Sequence, residues 1–160
     1  MRKVRSILEE VGLWIISIRN WKIFFRKYEA RFNKALVGTI DVEETANSFT
    51  DCFIGANPFG VLCGKNDEQF RTVITEGYEF YKSIGTKSMS IDSVKVSSLD
   101  EYHSMAKVHW RSLYNKKDGR EELIEFDVIY FVQIIDEKPK IFAYITSDEQ
   151  GVLREKGLIP

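Results

Sequence analysis

The sequence predicts an α+β domain in which three N-terminal helices lie across one face of a curved antiparallel sheet. Three observations carry that expectation. Up to Gly85 apolar residues recur at three- and four-residue steps, the period of a helix resting on something apolar; beyond it the period falls to two, the period of strands. The composition fits one globular domain: 160 residues, 44% hydrophobic, with 23 Lys+Arg against 24 Asp+Glu, a length that supports a core without metal or disulfide staples.

The first helix is read from Trp21, Phe24, Phe25, Tyr28, Phe32, Ala35 and Leu36, which form one stripe. Asp41 followed by Glu44 reads as a capping box that opens a second helix carrying Val42, Ala46, Phe49 and Phe53 and ending near Phe53. Gly55-Ala-Asn-Pro-Phe-Gly60 is turn chemistry, a loop or small hairpin. Asn66 and Gln69 read as the reciprocal cap of a third helix with Phe70, Val73, Ile74, Gly77, Tyr78 and Tyr81 on one face, stopped by Gly85. Four strands follow, about Ser88 to Leu99, Tyr102 to Asn115, Glu121 to Asp136 and Lys140 to Thr146, with turns at Asp118-Gly119 and Lys138-Pro139. Ser147 to Gln150 opens a last helical turn that Gly157 closes. Helices laid across long twisted strands leave a cone with an open mouth, a common place for a ligand.

Charge and cysteine content narrow the function. Residues 1–36 hold nine Lys/Arg and three Asp/Glu, so a basic first helix packs on an acidic body; its cationic residues read as a solvated face, and no nucleic-acid partner is expected. Residues 1–20 stand apart as an N-terminal extension, left open between an added helix, a swapped arm and a disordered segment, and residues 21–160 form the single domain. Glu9 and Glu10 interrupt the apolar run of the N-terminus and no small-residue cleavage site follows, which argues against a signal peptide. No run reaches the ~18–20 apolar residues of a membrane span. Cys52 and Cys63 lack a second pair, and His103 and His109 share one strand face too far apart for one metal site, so the sequence predicts reduced thiols, a cytoplasmic protein, and neither metal nor cofactor.

The order of elements, the Pro58 to Gly60 loop and the closing Lys140-Ile-Phe-Ala-Tyr-Ile-Thr146 together resemble the nuclear transport factor 2-like (cystatin-like) superfamily over about residues 22–150. That superfamily includes scytalone dehydratase, ketosteroid isomerase and SnoaL-type cyclases beside binding and structural members, so the resemblance implies the cone-shaped fold more than a chemistry. Phe24-Phe-Arg-Lys-Tyr28 resembles the segment that carries the isomerase's oxyanion-hole tyrosine. Asn57, whose amide cannot accept a proton near neutral pH, stands where the general base would be, and a gapless match places Phe131 where the second acid would be. The isomerase reaction is therefore not expected.

If the Phe131 match holds, the odd positions of Glu121 to Asp136 face the cone, Asp127 among them. Val108 then stands opposite Asp127, Trp110 shares the interior, and His103, Met105, Lys107, His109, Arg111 and Leu113 fall outside. An Asp127 carboxyl inside the cone would be raised by desolvation. The even row Ile124, Phe126, Val128, Tyr130, Val132 and Ile134 is wholly apolar and is read as the patch of a sheet-to-sheet homodimer, an arrangement the resemblance also implies. The function expected is a homodimeric protein that binds a small apolar molecule in a cone lined by Tyr28, Asn57, Trp110, Asp127 and Phe131. The alternatives are a SnoaL-like cyclase, dehydratase or isomerase using a buried carboxylate as acid or base, and a purely structural module with a filled cone.

Overall fold

The computed structural model describes residues 7–160, with side chains from Asn20 onward. The opening basic cluster of residues 1–6 lies outside the described residues, and the helix is continuous from Ile7 across the segment read as an extension. The chain runs α1 (Ile7–Leu36), α2 (Val42–Ala46), β1 (Phe49–Asn57), β2 (Gly60–Lys65), α3 (Glu68–Ser83), β3 (Thr86–Ser98), β4 (His103–Asn115), β5 (Glu121–Ile135), β6 (Lys138–Ile145) and α4 (Glu149–Glu155). The α+β architecture is the predicted one. The six strands form one open sheet in the order β2-β1-β6-β5-β4-β3. Its pairs are antiparallel except β1 with β6, which run parallel.

The second helix is shorter than the sequence suggests. Asp41 does cap it, its carboxylate accepting from Glu44 N at 3.0 Å, but the helix stops at Ala46 and Phe49 and Phe53 belong to β1. A spacing of four returns to the same face of a strand as well as of a helix, so those two residues could not distinguish the periods. The turn beyond them joins a true hairpin: Asn57 Oδ1 accepts from Phe59 N at 2.9 Å and Gly60 takes a positive φ. Asp67, not Asn66, caps α3. The Asn66 amide instead donates to Ala46 O at 2.8 Å and Phe49 O at 3.3 Å, tying the α2–β1 corner to the start of α3. Asp148 caps α4, and the β5–β6 turn sits at Asp136-Glu137, both at positive φ, with Pro139 inside β6. Gly85 ends α3 at φ +82, where a Cβ would collide with Asn115 O.

Register decides which residues face inward. Across β4 and β5, Val108 pairs with Val128 and His109 with Asp127, one residue away from the predicted alignment. The even residues of both strands, from Ala106 to Tyr114 and from Ile124 to Val132, therefore point at the helices; Val108 and Val132 are fully buried. The predicted dimer patch is thus the core row of β5, and its wholly apolar character reflects burial beneath the helices rather than under a partner. Trp21, Phe25, Phe32 and Ala35 of α1 complete the core, with Phe25 against Tyr130 at 5.1 Å between ring centres. A smaller cluster of Tyr114, Ile124 and Leu153 seats α4 over the other end of the sheet.

Polar residues of α1 fix its course over the sheet. The Asn33 amide donates to Met89 O at 2.6 Å while its oxygen accepts from Met89 N at 2.9 Å. One turn earlier, Glu29 accepts from Ile91 N at 2.7 Å and Arg26 donates to Ile91 O at 3.1 Å. β3 is an edge strand, and these side chains stand in for the missing neighbour. Asn33→Ala leaves both Met89 backbone groups unpaired beneath the helix and is expected to lower unfolding free energy by about 1–3 kcal/mol in urea titration; an unchanged midpoint would show that water replaces the amide without loss.

Candidate functional site

Beneath α1 and α3 the concave face of the sheet is not filled. A cavity of about 690 Å³ remains, walled by Tyr28 and Phe32 of α1, Phe70, Val73, Ile74, Gly77, Tyr78 and Tyr81 of α3, Trp110 and Tyr114 of β4, Phe126, Val128 and Tyr130 of β5, and Tyr144 of β6. Thr146, Ser147, Glu149, Val152 and Leu153 close one end. β6 pairs with β5 only from Ile129 onward, so the first half of β5 has no strand on that side, and the chain leaving β6 turns into α4 there.

The wall is built by the local rules already described. Tyr28 and Phe32 lie one turn apart on α1, and Phe70, Ile74, Gly77 and Tyr81 form the matching face of α3. The two helices meet through Phe32, whose ring stands 5.2 Å from Tyr78 and 5.3 Å from Tyr81 in edge contacts. From below, Tyr28 meets Trp110 at 6.3 Å and Tyr130 at 6.4 Å. Tyr144 crosses its β1 neighbour Gly55 so closely that a Cβ there would lie 2.7 Å from the phenol oxygen; a larger residue at 55 would push that ring aside.

Polar groups inside are few, and most are phenols. Desolvation holds the Tyr28 hydroxyl well above its ordinary value, with the nearby Tyr130 and Tyr78 adding to the effect, and burial does the same to Tyr130. Thr45 Oγ1 and the Tyr78 hydroxyl share a hydrogen bond of 3.3 Å. Glu149, which borders the cavity together with Glu125 and Asp127, accepts from the Tyr81 hydroxyl at 2.5 Å. Its burial raises the carboxyl above the usual glutamate range, outweighing the Tyr81 bond that acts the other way. Tyr81 in turn is pushed up by burial and by the charge of Glu149.

The five residues singled out from sequence divide. Tyr28 and Trp110 line the cavity, and Asp127 borders it. Asn57 lies in the β1–β2 turn, holding its own backbone. Phe131 faces the other side of the sheet, where its ring meets Phe142 at 6.1 Å between centres. Asp127 also turns its carboxylate outward, contrary to expectation: His109 Nδ1 reaches it at 2.8 Å and Lys107 Nζ at 2.9 Å, and it is 41% exposed. Those two hydrogen bonds, His109 first, hold it below the usual aspartate value instead of above it. Glu149 was missed because its position two residues after Ser147 reads as helix-capping chemistry; the usable signal was an acid in the first turn of the helix that follows the last strand.

No group of three or more potential metal ligands occurs among the described residues, and no described helix is long and apolar enough to cross a membrane. Among curated proteins no sequence matches the chain. Solved structures do share its fold. An NTF2-like protein with a cystatin-like fold from Novosphingobium aromaticivorans superposes with a TM-score of 0.69 at 9% identity, covering 99% of each chain. A protein of unknown function from Mycobacterium tuberculosis gives 0.66 at 12% identity over 88% of this chain and 76% of its own. An NTF-2-like protein of unknown function from Shewanella oneidensis gives 0.62 at 13% identity over 82% and 99%. At these identities the likeness is one of fold. The sequence profile described as NTF2-like protein (DUF6841) matches residues 19–149, most of the chain and the whole of the cavity wall up to Glu149, and the protein belongs to that NTF2-like family.

Proposed function

We propose that the protein binds a small, predominantly apolar molecule in the cavity between its helices and its sheet. The observation that carries this reading is the cavity itself. At about 690 Å³ it is far larger than the ~30 Å³ share of one water and within the roughly 300–1,000 Å³ of small-molecule sites, and its walls are largely aromatic with a few placed hydroxyls and three bordering acids, two of them ion-paired on the outer face. A structural module whose cone was filled by its own side chains would leave no such space. A second reading, acid–base catalysis, is favoured by one feature: Glu149 is a partly buried carboxyl with a raised affinity for its proton and a phenol in contact, the properties a general acid needs.

We further propose a homodimer joined through the outer face of the sheet. Half-buried Ile129, Phe131 and Phe142 and exposed Ile54 and Ile145 gather there beside the paired charges of Lys107, Asp127, Arg111 and Glu125. An apolar patch with a polar border suits a self-complementary contact. Cys52 and Cys63, free and exposed, support the cytoplasmic reading.

Gly77 offers a direct test of the cavity. It lies on the cavity face of α3 and a Cβ there meets open space. Gly77→Phe should occupy the cavity without weakening the helix, since glycine is the poorer helix former by roughly 0.5 kcal/mol. Calorimetric titration with naphthylethanol is expected to show binding to the wild type and none to the variant, at undiminished thermal stability; equal binding to both would place the ligand elsewhere. For the dimer, sedimentation should give twice the chain mass for the wild type and the single mass for Ile129→Arg, whereas a monomeric wild type would refute the interface.

A further inference from the structure

The cavity carries one sign of charge. Among the described residues that line it there is no lysine, arginine or histidine. Three acids border it, and two of them are already committed on the outer face of the sheet: Glu125 to Arg111 at 3.0 Å, and Asp127 to Lys107 and His109. Arg31 stacks over the Tyr28 ring, but it is buried against Ser48 and Glu44 and is not part of the wall. That leaves Glu149, whose hydrogen bond from a described side chain is the one from Tyr81.

We infer that the ligand is an organic cation, an aromatic or aliphatic amine whose ammonium group pairs with Glu149 while its apolar body lies among the tyrosines. The inference rests on the binding reading above and specifies its chemistry. An ionised carboxylate held in an apolar site by a single phenol is poorly compensated, and an ammonium supplies the missing charge-assisted hydrogen bond. The π-faces of Tyr28, Tyr78, Trp110 and Tyr130 add attraction for the same sign of charge, because the negative face of an aromatic ring favours cations. An anion entering the cavity would meet no cationic side chain and would oppose Glu149. A neutral ligand would leave the acid without a counter-charge.

Three probes of one shape test this on the full-length chain: naphthylethylamine, naphthylethanol and naphthylacetate, titrated calorimetrically near neutral pH. The amine should bind about tenfold or more tightly than the alcohol, and the acetate most weakly. Glu149→Gln keeps an acceptor for Tyr81 and removes the charge; it should abolish the preference for the amine while retaining the alcohol, whose binding also reports that the variant is folded. The inference is overturned if the alcohol or acetate binds as well as the amine, or if the preference survives in Glu149→Gln. Binding of the alcohol without any gain for the amine would leave the cavity reading standing; no binding by any of the three would overturn both.

Discussion

The grip of α1 on the sheet edge is the constraint from which the cavity follows. Asn33 and Glu29 hydrogen-bond to the backbone of Met89 and Ile91, so the helix is held along β3 at one side of a curved sheet. The bulges in β3, at Thr86/Ser88 and Ile91/Ser93, bend that strand beneath it. With one wall fixed in this way, α1 packs chiefly on β3, and the space bordered by β4, β5, Tyr144 and α4 stays open. α3 roofs it without filling it, because glycine stands at 77 on its inward face, where a Cβ would meet open space.

The strand register then assigns chemistry to the two faces. With Val108 opposite Val128, the aromatic row Trp110, Tyr114, Phe126 and Tyr130 turns inward and the charged row Lys107, His109, Arg111, Glu125 and Asp127 turns outward. Those five outer residues are close enough to pair with one another, so the outer charges are balanced locally. Inside, balance is missing. Glu149 enters from α4, beyond the last strand, where its hydrogen bond from a described side chain comes from the phenol of Tyr81. A carboxyl that retains its proton more strongly than usual is the consequence of that placement, and a positively charged guest would reverse it.

Much of the fold was legible in the sequence because period and turn chemistry agree there. The stripe from Trp21 to Leu36, the Asp41 cap, Gly85 with its positive φ and the four long strands all occur where the pattern puts them. The hairpin of β1 and β2 was concealed because Phe49 and Phe53 satisfy both periods. The inward row of β5 was legible from polarity alone: its even residues are uniformly apolar and its odd residues mixed, as a core face and a partly wet face should be. Matching Phe131 to a distant catalytic pattern overrode that simpler rule, and a shift of one residue sent Asp127 to the wrong side. Tyr28 and Trp110 survived because each sits on a long regular element whose face is unambiguous. Glu149 could not be placed without knowing that the chain folds back over the concave face after β6.

The central claim is that the space under α1 and α3 receives a guest. A crystal structure of the protein soaked with a bromonaphthyl derivative of the amine tests it most directly. The account predicts anomalous density for bromine among Tyr28, Trp110 and Tyr130 with the ammonium group beside Glu149. Bromine found only on the outer face of the sheet, or side chains collapsed into the cavity with no guest, would contradict it.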